Sequence, residues 1–86
     1  MKKKILVVDY EPDFLELISA RLEANDYEVI TAVNGQECLN KINKDKPDAV
    51  LLEILMPGMD GLSVLKTIRE HDKDLPVFMI TAFSNN

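Results

Sequence analysis

Four short apolar runs punctuate this chain, and each of the first three leads into a stretch whose apolar residues recur at helical spacing. Residues 5–8 are continuously apolar and rich in β-branched side chains, the pattern of a strand buried on both faces. Pro12 then opens a helix, where its missing N–H costs nothing. Phe14, Leu15, Ile18 and Leu22 mark the inner face of that helix, with Glu16, Arg21 and Glu23 outward. Asn25-Asp26 ends it. Residues 27–33 read as a second strand centred on Val29 and Ile30. Asn34, with Glu37 three residues later, is a capping-box pattern. The helix it starts turns Cys38, Leu39 and Ile42 inward and stops before Pro47. Residues 49–55 predict a third strand, apolar except for Glu53. Met56-Pro57-Gly58-Met59-Asp60-Gly61 is a loop whose glycines and proline set its turns. A third helix follows, with Leu62, Leu65 and Ile68 on one face and His71 in its last turn. Pro76 introduces a fourth strand over residues 77–81.

Strands separated by helices run parallel, joined by right-handed crossovers. The order strand, helix, strand, helix, strand, helix, strand therefore predicts a three-layer α/β fold of the doubly wound type. The expected strand order is 2-1-3-4, reversing beside the first strand.

Composition narrows the function classes. With 86 residues there is room for one domain. A net charge of −5 argues against general nucleic-acid affinity, which needs a basic face. The one basic run, Lys2-Lys3-Lys4, reads as a solvated terminus. A single cysteine, Cys38, excludes an internal disulfide and fits a reducing compartment. It reads as a small packed hydrophobe. No apolar stretch approaches the roughly 20 residues needed to cross a bilayer, and residues 5–8 are too few for a signal peptide. The expected location is the cytoplasm, with no nucleic-acid or membrane partner.

In an open parallel sheet, ligands bind beyond the carboxyl ends of the strands where the strand order reverses. Asp9 closes the first strand, Glu53 lies near the end of the third and Thr81 closes the fourth. In the order 2-1-3-4 those strands are neighbours, so the three side chains converge. Two carboxylates can hold a hard divalent cation, and a hydroxyl beside them can donate to a phosphoryl oxygen. Glu53 has a plainer reading too, as a buried carboxylate satisfied by a loop N–H or a lysine.

Val7-Val8-Asp9-Tyr10-Glu11-Pro12, Leu52-Glu53-Ile54-Leu55-Met56-Pro57-Gly58-Met59-Asp60-Gly61 and Pro76-Val77-Phe78-Met79-Ile80-Thr81-Ala82 resemble the three signature segments of response-regulator receiver domains. The resemblance covers the whole chain. It implies a flavodoxin-like fold that takes a phosphoryl group from a histidine kinase or phosphotransfer protein, assisted by Mg²⁺. On this resemblance Asp9 matches the first of two paired acids, and Thr81 matches the hydroxyl that contacts the phosphoryl group. The Leu55 carbonyl matches a metal ligand, so Asp9, Glu53 and Leu55 would hold Mg²⁺. Glu53 stands at the phosphoacceptor position.

Three departures qualify what the resemblance implies. Tyr10 stands where the family has a second acid, and a neutral phenol is a poor ligand for a hard cation. Glu53 replaces the acceptor aspartate, and its extra methylene displaces the carboxylate by roughly an ångström, which disturbs in-line attack. No lysine follows Lys73 to match the family's phosphoryl-pairing lysine, and the family's fifth strand has no counterpart. Residues 1–86 thus read as one incomplete receiver-like domain that does not undergo ordinary aspartyl phosphorylation, with weak or absent Mg²⁺ binding. The apolar edge of Val77, Phe78, Met79 and Ile80 predicts self-association. Two alternatives stand beside this reading. One is an engineered or degenerate half-domain whose main property is self-assembly. The other is a phosphohydrolase, which needs an aspartate nucleophile with a second aspartate two residues on, and Glu53-Ile54-Leu55 does not supply them.

Overall fold

A computed structural model describes residues 1–81 of the chain. Seven elements follow one another: β1 (Lys4–Val8), α1 (Pro12–Ala24), β2 (Glu28–Ala32), α2 (Gly35–Asp45), β3 (Ala49–Glu53), α3 (Gly61–His71) and β4 (Val77–Ile80). The four strands form one parallel sheet in the order β2-β1-β3-β4, as the alternation predicts. Ala82, the last residue of the third signature segment, lies outside the described residues.

The sheet has two unequal faces. Leu6, Val8, Val50 and Leu52 pack with Cys38 of α2 and with Val64 and Ile68 of α3. On the opposite face Ile5 and Val7 pack against Leu15, Ile18 and Leu22 of α1, with Val29 and Leu51 beside them. Burying each of these aliphatic side chains contributes about 1.5–3 kcal/mol relative to exposure. The α1 face is covered over β1 and β2, whereas Phe78 on β4 stays 57% exposed.

Local signals set the helix ends. The Asn34 side chain accepts the Glu37 N–H at 2.8 Å, and Glu37 in return accepts the Val33 N–H at 3.2 Å. Asp60 caps α3 by accepting the Ser63 N–H at 2.9 Å. Lys46 ends α2 in the left-handed region, at φ 50°, and Pro47 prevents continuation.

Some boundaries and faces differ from the sequence reading. β3 stops at Glu53 and not at residue 55, because the Ile54 carbonyl turns to accept the Gly61 N–H at 2.8 Å. β2 is one residue shorter at each end than predicted, and β4 ends at Ile80 with Thr81 just beyond. On α3 the buried stripe is Gly61, Val64 and Ile68, so Leu62, predicted inward, is 60% exposed. Gly61 lies too close to the β3–α3 turn for a side chain. Phe14, also predicted inward, leaves the sheet for the rim described next.

Candidate functional site

The register of the sheet places the acids. Val8 pairs with Leu52, so the residues that follow them, Asp9 and Glu53, are neighbours across the β1/β3 pair. Val7 and Leu51 point toward α1, and two residues further on Asp9 and Glu53 emerge on that same side. Glu53 in turn pairs with Ile80, which leaves Thr81 one position beyond on the adjoining strand. The three predicted residues all line a single cavity of about 170 Å³, walled by Tyr10, Phe14, Leu55 and Ile80.

Both acids are almost fully buried, Asp9 at 4% and Glu53 at 3% exposure. Each is partly satisfied by nearby backbone. Asp9 Oδ1 accepts the Glu11 N–H at 2.8 Å, an arrangement favoured just before a helix. Glu53 Oε2 accepts two successive N–H groups, from Ile54 at 2.8 Å and Leu55 at 3.3 Å. The Ile54 N–H is shared with the Ile80 carbonyl at 2.9 Å. Glu53 therefore lines the cavity and is held by loop N–H groups, as its plainer reading expects.

Burial is the main force on Asp9, pushing its carboxyl above the ordinary 3.8. The Glu11 N–H opposes this, while the Glu53 charge and a hydrogen bond to Glu53 raise it further. A divalent cation would find the Asp9 and Glu53 carboxylates here, both already engaged, with Glu11 and Leu55 also on the cavity lining. The next position, Tyr10, offers a phenol on a ring that is 48% exposed. Among the described residues no group of three or more acidic, histidine or cysteine side chains is gathered to hold a metal. Tyr10 places a neutral phenol where a hard cation favours a charged oxygen.

Sequence reasoning overlooked Phe14 and Tyr10 as walls of the cavity. A helical wheel assigns Phe14 to the sheet, yet it sits within the first turn of α1, beside the acids. Gly61 was also missed as a positioning element. A β-carbon there would stand 2.8 Å from Ile54 Cα and closer still to the Glu53 carbonyl oxygen. A larger groove of about 450 Å³ between α2 and α3 contains His71, away from the acids; the His71 ring meets the Thr67 carbonyl at 3.0 Å.

The family described as the response regulator receiver domain matches residues 5–86. This chain belongs to the response-regulator receiver family. The receiver is 43% identical over 82 residues to the alkaline phosphatase synthesis transcriptional regulatory protein PhoP of Bacillus subtilis, covering 95% of this chain and 34% of that protein. It thus spans about a third of the length of the curated relatives it matches. Among solved structures, it superposes on the response regulator TrrA of Thermotoga maritima in complex with Mg²⁺-BeF, with a TM-score of 0.91 and 45% identity. That match covers 95% of this chain and 71% of TrrA. A second match, at 44% identity and TM-score 0.90, is the complex of histidine kinase ThkA with TrrA; it covers 96% of the receiver and 72% of that chain. Receivers of this family bind Mg²⁺ at the phosphorylation site and act as signalling modules of two-component systems. No helix among the described residues is long and apolar enough to cross a membrane.

Proposed function

We propose that this receiver signals by binding and does not accept a phosphoryl group at Glu53. The observation that carries the reading is the fold-back of the Glu53 carboxylate onto the Ile54 and Leu55 N–H groups. A nucleophile must present an oxygen in line with the phosphorus, and one oxygen of this carboxylate, Oε2, is held by its own loop. Tyr10 adds a second loss, because it replaces the acid that would complete a hard-cation site. In this reading Glu53 marks the acceptor position and Thr81 the phosphoryl-contacting position. Asp9, Glu53 and the Leu55 carbonyl mark a Mg²⁺ site of weak or negligible affinity. The TrrA–ThkA complex supports a histidine kinase or phosphotransfer protein as the docking partner. The lone buried cysteine supports a cytoplasmic setting.

Acetyl-phosphate labelling in Mg²⁺ tests this, with the wild type beside a Tyr10→Asp, Glu53→Asp double variant. The wild type is expected to stay unlabelled and the variant to take label at position 53. Label on Glu53 of the wild type would overturn the proposal.

A second reading concerns partners, and Phe78 favours it. In the sheet of the described residues, Val77, Phe78, Met79 and Ile80 form an uncharged strand at the edge, which is a template for pairing. Two such edges set antiparallel about a two-fold axis place Val77 opposite Ile80 and Phe78 opposite Met79, so the occupant is a second copy of this chain. Light scattering after size exclusion is expected to show a concentration-dependent dimer that Phe78→Lys abolishes. A wild type that stays monomeric at high micromolar concentration sinks the idea.

A further inference from the structure

In the described sheet β2 lies at an edge, so one side of its backbone has no strand beside it. Glu28 donates its N–H to the Lys3 carbonyl, and Ala32 accepts the Asp9 N–H. The even-numbered residues of β2 therefore bond inward to β1, and Val29 and Thr31 turn their backbone N–H and C=O groups outward. A strand edge this rich in β-branched residues is a template for another strand.

Two side chains of α2 occupy that template. Lys41 Nζ donates to the Thr31 carbonyl, and Glu37 Oε1 accepts the Val33 N–H at 3.2 Å. The pair lies one helical turn apart with 3.6 Å between Nζ and Oε1, glutamate preceding lysine in the favoured order. Asn34 fixes the glutamate by accepting its backbone N–H at 2.8 Å. In a parallel ladder one residue donates to a carbonyl and accepts from the N–H two positions further along the neighbouring strand. The Thr31 carbonyl and the Val33 N–H are such a couple, and here an ammonium supplies the donor and a carboxylate the acceptor. At the other end of the edge the Leu22 carbonyl takes the Tyr27 N–H at 3.1 Å.

We propose that Glu37 and Lys41 take the place of one residue of an added strand and hold the β2 edge shut, and that this edge, released from Lys41, pairs with the same edge of a second copy. The occupant follows from the strand's own pattern. Two β2 strands set antiparallel about a two-fold axis at Ile30 bring Val29 of each opposite Thr31 of the other, in hydrogen-bonding register. Glu28 then faces Ala32, so no like charges oppose one another within the paired strands. That ladder needs the Thr31 carbonyl, which is the group Lys41 holds. Neither the acid pocket nor β4 enters this contact, so it stands apart from both readings above.

The test is made in Phe78→Lys, which takes the β4 edge out of the comparison, and combines light scattering after size exclusion with hydrogen exchange at Val29 and Thr31. Phe78→Lys alone is expected to be monomeric at high micromolar concentration, with both amides exchanging rapidly. Adding Lys41→Met keeps an unbranched stem and removes the donor. That variant is expected to form a concentration-dependent dimer in which exchange at Val29 and Thr31 slows about tenfold or more. Lys41→Arg keeps a donor and is expected to remain monomeric. Glu37→Ala frees the Val33 N–H and opens the edge by a second route, read in the same way if Lys41→Met does not fold. A folded Lys41→Met variant that stays monomeric would overturn the proposal. So would a dimer whose Val29 and Thr31 amides exchange as fast as in the monomer, since its copies would be joined elsewhere.

Discussion

Gly61 and Glu53 are in backbone contact so close that the first residue of α3 cannot carry a side chain without displacing the end of β3. Gly61→Ala is therefore expected to cost about 1–3 kcal/mol, the usual range for overpacking. Any gain in helix propensity from alanine is too small to offset it. Urea denaturation gives the magnitude, and amide shifts at Ile54 would report that the loop has moved. An unchanged midpoint with unmoved resonances would show that the contact is soft.

Asp9 makes stability depend on pH with a definite sign. Its folded carboxyl titrates above the unfolded value because of burial, with the charge of Glu53 adding to it. The folded state thus holds the proton more tightly, and the contribution is fully present below about pH 4. It is lost as pH rises through the raised folded value. Asp9→Asn keeps an oxygen for the Glu11 N–H and removes the charge. The variant is expected to be more resistant to urea than the wild type at pH 7, with the gap closing toward pH 4. A gap that widens on acidification would contradict the assignment.

Cys38 is completely buried in the core beneath α2, and burial pushes its thiol up to about 12. In the native state it is expected to resist a disulfide reagent at pH 8, reacting only as fast as the chain opens. Adding urea to the midpoint should raise the rate by orders of magnitude. Rapid labelling without denaturant would mean that α2 detaches locally.

The two capped helix starts give a graded pair. Asn34→Ala removes the acceptor of the Glu37 N–H, and Asp60→Ala removes that of the Ser63 N–H. Each is expected to cost about 1 kcal/mol. The sites share no partner, so the double variant should lose close to the sum by urea denaturation. Marked non-additivity would reveal coupling through Met59, which approaches the start of α2 at Gly35.

Most of the architecture was legible because one period governed each element. Residues 5–8 could only be a two-sided buried strand, and the Asn34–Glu37 pair announced its helix before any packing was known. Asp9, Glu53 and Thr81 followed from topology, since a parallel sheet brings strand ends to a single edge. Periodicity failed where a backbone contact outweighed it. Leu62 fits a helical stripe by spacing, yet the face that packs on the sheet runs through Gly61, whose backbone abuts Glu53, and Leu62 is left to solvent. Phe14 fits as well, but it lies beyond the end of the sheet that its face would cover. The end of β3 was misplaced for a related reason. Ile54 and Leu55 are apolar enough for a strand, and only the Glu53 side chain and the Gly61 N–H divert their backbone.

The strand order has a kinetic consequence. No two hydrogen-bonded strands are close in sequence: Lys4 pairs with Glu28, Ile5 with Ala49, and Val50 with Val77. Each pairing therefore closes a loop of more than twenty residues before any ladder forms, so contact order is high for so short a chain and folding belongs to the slower part of the range. β1 bears this most. It is the first of the described strands in chain order and one of two interior strands of the sheet, so its apolar edges wait unpaired until β2 and β3 have been made. Until β3 is available, β1 can pair with β2 alone, with its other edge open to whatever strand it meets first.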